Sequence, residues 1–338
     1  MANKKKKEPT VYDVAKLAGV SPSSVSRFLN RTTYVSEDKS YKIEQAITTL
    51  GYKPNFQTQQ DKSCRSMKIG VLVQHPDSPY TSSILNDMER VLMKQGYSLV
   101  LASGHWQNKM GMHALEYLVK CAVDGIILIT GCLSDQLILK TSESIPVVAV
   151  GYDIEGENIR TLNMDNVLGG YMATLHLLQL GHMNIAHIRG LDSQPDSRAR
   201  FKGYKKALQE LNIKPNPKLI KQGDFSIETG YQKTVELIES KVHFSALFAA
   251  NDQTAFGAIK ALNDHGLNVP QDVSVIGFDD LPISKYFTPA LTTLRQPIEE
   301  IGSLCAKSML NLLSGERHEA RLPPIDLIVR QSTKSIYR

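Results

Sequence analysis

Apolar and polar residues change rhythm along this chain, and each rhythm marks a different kind of structure. In residues 10 to 30 the apolar positions recur at helical spacing. Val11, Val14, Ala15 and Ala18 fall on one face of a short first helix, and Gly19 follows as a residue able to take the left-handed conformation that ends it. Ser21 can accept hydrogen bonds from the free amides of the next turn, and Pro22 at the first helical position removes no donor that the helix uses. A second helix therefore starts at Pro22. Its Val25, Phe28 and Leu29 face inward and its Ser23, Ser24, Ser26 and Arg27 face outward. That arrangement fits a helix-turn-helix whose second helix enters a DNA groove, where arginine commonly reads guanine. An ordinary helical hairpin with a solvated face is the other reading of the same spacing.

From residue 69 the pattern becomes short apolar runs alternating with amphipathic stretches. Runs at 69–73, 98–101, 125–129 and 147–150 are separated by helices expected near 80–95 and 108–121. The rhythm resumes with a helix near 167–180, a run at 185–188, helices near 197–211 and 253–264, and runs at 246–249 and 273–276. This βαβ alternation predicts two α/β lobes with parallel, doubly wound sheets. Ligands of such sheets sit outside the carboxyl ends of the strands, so the cleft between the lobes is the expected pocket.

Charge separates the two regions. The first 60 residues hold ten Lys or Arg against five Asp or Glu, a net of +5, which is also the net of the whole 338-residue chain, so the remaining 278 residues are neutral. A positive field confined to one end fits a phosphate-binding head with salt-sensitive affinity on a body that binds something else. The run Lys4 to Lys7 adds a nonspecific electrostatic arm. No apolar run reaches membrane-spanning length and the N-terminus lacks a signal-peptide core, so the chain is expected in the cytoplasm, away from any membrane. Cys64, Cys121, Cys132 and Cys305 lack a Cys-x-x-Cys pairing, which favours reduced thiols over a metal site.

Enzymatic signatures are missing. There is no zinc helix, no Gly-x-Ser-x-Gly elbow, no phosphate-cradling loop and no dinucleotide fingerprint, so no catalytic residue, cofactor or metal is expected. His182 and His187 read as turn and core residues.

The segment from Thr10 to Asn55 resembles the head of the lactose-repressor/galactose-repressor (LacI/GalR) family. The likeness continues through Val123-Asp-Gly-Ile-Ile, Asp165-Asn166, Leu180-Gly-His-Met-Asn-Ile-Ala, Arg200-Phe-Lys-Gly-Tyr, Ala250-Asn-Asp, the run from Val269 to Asp280, and Leu291-Thr-Thr-Leu-Arg-Gln-Pro. The resemblance implies a fold in which a helix-turn-helix head is joined by a hinge to a two-lobed α/β body of the periplasmic-binding-protein type. It implies a basic arm at 1–9, a head at 10–55, a hinge at 56–68 and a body at 69–338. Lobe 1 is expected at about 69–164 plus 297–323, and lobe 2 at about 165–296 plus 324–338.

By the same resemblance, the head binds a palindromic double-stranded operator as a homodimer, with Pro22, Ser23 and Arg27 at base-reading positions. Thr10, Tyr12, Ser21, Ser24, Ser26, Asn30, Ser36, Tyr52 and Asn55 take phosphate-contact or head-packing positions, with chemistry suited to neutral hydrogen bonds to phosphate. Tyr12 and Tyr52 fit either core or DNA contact. The C-terminus, Gln331 to Arg338, lacks the leucine repeat of tetrameric members, which leaves a dimer.

In the body, a polyol must find paired donors and acceptors. Arg200 offers a fork of donors and Asp279 only acceptors, so together they can grip adjacent hydroxyls; a plain salt bridge across the lobes is the alternative. The family places Asn251 and Asp165 or Asn166 in the same ring, Gln296 at the lobe crossover and Phe225 as a stacking face, while Tyr80 and Thr81 close the first-lobe side. Phe225 also fits an ordinary core position. The resemblance therefore implies a repressor of sugar-utilisation genes, switched by a small sugar that alters the angle between lobes. A purine, a phosphorylated metabolite, a partner protein, or a transport-type sugar-binding role are the other readings. Asp192 and Asp196 near Arg198 argue against an anion.

Family members usually push a hinge leucine into a minor-groove step to kink the operator. Counting from Pro54-Asn55 puts Asp61 at that place, and Lys39, Ser40 and Tyr41 also depart from the usual threonine-arginine-polar run. A carboxylate cannot wedge bases and repels phosphate, which implies a weaker hinge offset by Lys62, Arg65 and the tail lysines. Asp61→Leu is expected to raise operator affinity and bending in a mobility-shift assay with permuted probes; an unchanged bend rules out the weakened hinge.

Overall fold

Thr10 opens the first helix, α1 (Val11–Ala18), by reciprocal capping. Its amide and hydroxyl donate to the Asp13 carboxylate at 2.8 and 2.7 Å, and the Asp13 amide donates back to the Thr10 hydroxyl. Gly19 ends the helix at φ 66°, and α2 (Pro22–Asn30) starts at the proline, where the Ser24 amide donates to the Ser21 hydroxyl at 3.2 Å. A third helix, α3 (Glu37–Leu50), completes the head. Val14, Ala15, Ala18, Val25, Ile43 and Ala46 form its core, and Val11, Phe28, Leu29, Leu50 and Tyr52 pack around it half-buried. This computed structural model describes residues 9–30, 35–50, 52, 65–316 and 320–337. Residues 1–64 and 65–338 form separate compact units.

The first sheet of the body is all parallel. Its strands are β1 (Lys68–Val73), β2 (Ser98–Ser103), β3 (Gly125–Ile129), β4 (Val147–Val150) and β5 (Ile159–Leu162), in the order β2-β1-β3-β4-β5. Helices α4 (Pro79–Met93), α5 (Asn108–Lys120) and α6 (Asp135–Ser142) connect them. Both faces are covered, so β3 and β4 are buried along their whole length, which is why they read as unbroken apolar runs.

The second sheet has the order β11-β10-β9-β8-β6-β7. It contains β6 (Ile185–Arg189), β7 (Ile220–Gln222), β8 (Ala246–Ala249), β9 (Ser274–Asp279), β10 (Thr292–Arg295) and β11 (Asp326–Ile328). The first five run parallel, and the three-residue β11 adds an antiparallel edge to β10. Helices α7 (Asn166–Gln179), α8 (Pro195–Glu210), α9 (Ile227–Glu239) and α10 (Asp252–Asp264) cover this sheet. After β10 the chain crosses back, and α11 (Ile298–Ser314) packs on α4 and the first sheet. The lobes are thus linked before α7, after β10 and again before β11.

His187 stands in the core of the second lobe, stacked on Phe248 at 4.5 Å with Nδ1 2.8 Å from the Phe248 carbonyl, and burial lowers its pKa to about 3. His182 bridges the Ser245 hydroxyl and the Lys334 carbonyl.

Two features fix where the ligand-facing ends of the second lobe stand. The buried Asp252 carboxylate accepts bonds from the Leu281 amide and from the Ser284 and Thr293 hydroxyls, tying the loop after β9 and strand β10 to the start of α10. Helices α7 and α8 cross at glycines: a Cβ on Gly170 would stand 2.1 Å from the Arg200 carbonyl oxygen, and one on Gly203 would stand 2.1 Å from that of Val167. Neither approach admits a side chain. Gly170→Ala is expected to cost about 1–3 kcal/mol by overpacking, read as a lowered urea midpoint at unchanged slope. An unchanged midpoint contradicts the close crossing.

Candidate functional site

The carboxyl ends of the strands of both lobes converge on a cavity of about 600 Å³. Gln74 follows β1, His105 and Trp106 follow β2, and Thr130 follows β3 from the first lobe. From the second lobe come Gln194, Asp196 and Arg200 on or before α8, Phe225 after β7, Asn251 after β8, Asp279 at the end of β9 and Gln296 after β10.

Arg200 is only 5% exposed, and its charge is held by neutral groups. Its Nε donates to Asn166 Oδ1 at 2.9 Å, Nη1 donates to the Ala250 carbonyl at 2.6 Å, and the guanidinium lies 3.7 Å above the centre of the Phe278 ring. Among the described residues it forms no ion pair within 4.0 Å. The salt bridge considered from the sequence is therefore not formed, and Arg200 and Asp279 both belong to the second lobe.

Asp279 keeps one oxygen on the Gln296 side-chain amide, and Asp196 keeps one on Asn166 Nδ2 at 3.0 Å. Both carboxyls are pushed above the usual carboxylate range, chiefly by burial, with Arg200 pulling the other way. Tyr80, from the first lobe, has its phenol pKa raised by burial and then by Asp279 and Asp196, so it faces them across the cleft as a neutral hydroxyl. Two buried amides have an atom without a hydrogen-bond partner: Gln194 Nε2 and Gln296 Oε1.

Trp106 and Phe225 approach from opposite lobes with ring centres 6.5 Å apart and planes tilted by 29°. Two stacked carbon contacts span about 7 Å, so a slight separation admits a ring between them. Trp106 is held by Gln74, whose Oε1 accepts from the Trp106 amide at 2.8 Å while Nε2 donates to the Thr130 carbonyl at 3.2 Å. Phe225 is held by Asn251, which donates to its carbonyl at 3.1 Å and caps α10 through the Thr254 amide. Gly190 makes room for the ring, since a Cβ there would stand 1.9 Å from Phe225 Cζ. His105, Trp106, Thr130, Phe225 and Asp279 all have positive φ, a concentration of strained backbone around one cavity.

Seven of the nine ligand candidates line the cavity: Tyr80, Thr81, Arg200, Phe225, Asn251, Asp279 and Gln296. Asp165 does not. It is exposed and caps α7, accepting from the Leu168 amide at 2.8 Å. Asn166 stands behind the wall and holds both Arg200 and Asp196 in place. Gln74, Trp106, Gln194 and Asp196 are wall residues that the sequence reading did not assign, because they lie on loops or a helix start where no periodicity points to a site.

In the head, Ser23 and Arg27 are exposed on α2, and the hydroxyls of Ser21, Ser23 and Ser24 interlink at 2.8 and 2.9 Å. Ser24 and Ser26 are half-buried, and Pro22 and Ser36 are exposed. Tyr12 is 73% exposed, whereas Tyr52 packs against the head core, which separates two residues of equal standing in the sequence. Thr10 spends its hydroxyl on the α1 cap. The Asn30 side chain, Asn55, Asp61 and Lys62 lie outside the described residues. Arg65 donates to the Leu313 carbonyl at 2.7 Å and to Tyr97 at 3.2 Å, so its guanidinium is engaged by the body.

Comparison with known proteins covers both units. The profile of bacterial regulatory proteins of the lacI family matches residues 10–55, and that of the periplasmic binding protein-like domain matches residues 174–333. The HTH-type transcriptional repressor PurR of Histophilus somni is 33% identical over 331 residues, spanning 97% of this chain and 99% of its own length. A Lac repressor dimer bound to operator and the anti-inducer ONPF superposes with a TM-score of 0.72 at 30% identity, covering 97% of this chain and 100% of that one. The complex of the transcriptional regulator CelR with cellobiose gives 0.71 at 30% identity, covering 96% and 99%.

Trp106 is the one tryptophan of the chain and therefore reports on the cleft. Gly190→Ala is expected to displace Phe225, admit water to the indole and shift its emission to the red. Unchanged emission contradicts the facing of the two rings.

Proposed function

Since the chain belongs to the lacI family of bacterial regulatory proteins and is a DNA-binding transcriptional regulator with a ligand-binding body, not an enzyme, we propose that it represses sugar-utilisation genes and that a small sugar in the interlobe cleft relieves the repression. It binds operator DNA and a small-molecule effector and acts as a dimer. No helix among the described residues is long and apolar enough to cross a membrane. The domain limits anticipated from the sequence, with lobe 1 at about 69–164 plus 297–323 and lobe 2 at about 165–296 plus 324–338, serve as the working division.

The observation that carries the sugar reading is the polar wall around Arg200. A guanidinium already seated on neutral partners, a carboxylate with a spare oxygen and two amide atoms without partners suit a ligand that presents several hydroxyls. In this reading Arg200, Asp279, Asn251 and Gln296 bond the ligand, Tyr80 and Thr81 close it from the first lobe, and Asn166 positions Arg200. Phe225 and Trp106 cover its apolar faces. The cellobiose held by the CelR relative supports the class. A purine is the second reading, favoured by the two facing rings.

In the head, Pro22, Ser23 and Arg27 read bases in the major groove. Thr10, Tyr12, Ser21, Ser24, Ser26, Asn30, Tyr52 and Asn55 contact phosphate or pack the head. Exposed Met93, Leu101 and Tyr117 around the edge strand β2 support dimerisation through the first lobe. A ligand touching both lobes favours one angle between them, which changes the spacing of paired heads. Binding at the two sites is then reciprocal, with a coupling of about 1–3 kcal/mol.

The test is a mobility-shift titration across a panel of sugars and purines, paired with calorimetry. One sugar is expected to weaken operator binding by roughly 5- to 150-fold, and operator to weaken its binding by the same factor. Arg200→Ala is expected to reduce effector affinity roughly 10- to 150-fold while leaving effector-free operator binding intact. A purine acting in place of any sugar overturns the sugar reading, and an effector that tightens operator binding makes the ligand a corepressor.

A further inference from the structure

The cleft is unusually acidic for a site that takes a neutral ligand. Its described wall carries four carboxylates, Asp77, Asp196, Asp224 and Asp279, against the single guanidinium of Arg200. The two imidazoles of the wall, His75 and His105, meet edge to face at 5.7 Å. Asp224 is satisfied locally by the amide and hydroxyl of Ser226, which lower its pKa against the opposing effect of partial burial, and Asp77 is exposed. Asp196 and Asp279 are different. Burial raises the proton affinity of both, with Asp196 adding to that of Asp279; each commits one oxygen to an amide, and Arg200 is hydrogen-bonded to neither.

A second observation points the same way. Gln296, 3% exposed, donates its amide to Asp279, and its Oε1, buried in the cavity wall, accepts from nothing in the protein. The spare groups around Asp279 are therefore acceptors, the free oxygens of Asp196 and Asp279 and the amide oxygen of Gln296, while Gln194 Nε2 is a spare donor of the same wall. On the reading that the cleft holds a sugar, we propose that the effector is an amino sugar, with its protonated amine seated among Asp196, Asp279 and Gln296. An ammonium has three donors and no acceptor, which matches three acceptors, and its charge draws the raised carboxyls back toward their ionised form. A hydroxyl in that place donates once and brings its own lone pairs toward the carboxylates. A phosphate adds charge of the wrong sign. Among the described residues no cluster of three or more His, Cys, Asp or Glu is arranged to hold a bare metal ion, so an organic cation suits the corner better. The Trp106 and Phe225 faces add attraction for a cation.

The experiment titrates full-length protein by calorimetry with matched sets: glucose, galactose and mannose, their 2-amino forms, their N-acetyl forms and their 6-phosphates. Within at least one set the amine is expected to bind about tenfold tighter than the parent hexose, the margin of a charge-assisted over a neutral hydrogen bond, with the N-acetyl form and the phosphate weaker than the amine. Asp196→Asn is expected to erase that preference while effector-free operator binding persists, with Asp196→Ser used if the first variant misfolds. Parent hexoses that match or exceed their amines, or a preference that survives in the variant, overturn the amine assignment and leave the sugar reading standing. Binding of no sugar of any kind overturns both.

Discussion

A buried guanidinium that is not paired with a carboxylate organises the body of this protein. Burying a charge costs several kcal/mol unless its hydrogen bonds are met, and Arg200 meets its needs with the Asn166 side chain, the Ala250 carbonyl and the face of Phe278. These three partners come from α7, from the end of β8 and from β9, so the charge is held only when helix and sheet are correctly assembled. The glycine crossing of α7 on α8 brings the backbone of Arg200 against Gly170, and it thereby holds the guanidinium at the carboxyl ends of the interior strands β8 and β9. Because the fold satisfies Arg200 without them, Asp196 and Asp279 keep capacity for a ligand.

Both lobes contribute to the cavity wall. Gln74 and Trp106 from the first lobe are locked to one another, as Asn251 and Phe225 are in the second, and each aromatic ring is presented on backbone of positive φ. Such strain persists only where surrounding bonds over-determine it, and here those bonds are made within each lobe. Each lobe is thus braced internally at the cleft, and three crossings join them. In the proposed reading, a ligand that touches both rings favours one angle between the lobes.

The helix-turn-helix was legible because its signals are local. Thr10, Gly19, Ser21 and Pro22 each set one backbone junction, and Val14, Ala15, Ala18 and Val25 supply a core at helical spacing. The buried strands were legible for a related reason, since two covered faces demand unbroken apolar runs. Strands β5, β7, β10 and β11 escaped because they are three or four residues long and rich in Arg, Thr, Lys or Asp, three of them being sheet edges. In the site, Arg200 and Asp279 were accessible through family likeness, but Asp196 was read only as a loop carboxylate that disfavours an anion, not as part of the wall. Asp165 and Asn166 could not be told apart by adjacency. The start of α7 separates them, turning the first outward to cap the helix and the second inward to Arg200.

Unmet hydrogen bonds divide by location. Among the described residues, His187 Nε2, Arg189 Nε, Ser197 Oγ and Thr254 Oγ1 lack partners in the second lobe away from the cavity wall, and His187 lies wholly inside the core. Gln194 Nε2 and Gln296 Oε1 lack them at the cavity wall. A buried polar atom left without a partner costs about 1–3 kcal/mol. The core atoms carry that cost in every state of the molecule, so they cannot bias one state over another. Of the two wall atoms, the Gln194 nitrogen requires an acceptor and the Gln296 oxygen a donor, and a ligand in the cleft can supply both. Only contacts that differ between two states can shift their equilibrium, so a ligand that meets these wall atoms in one state acts where the constant contacts of the core cannot.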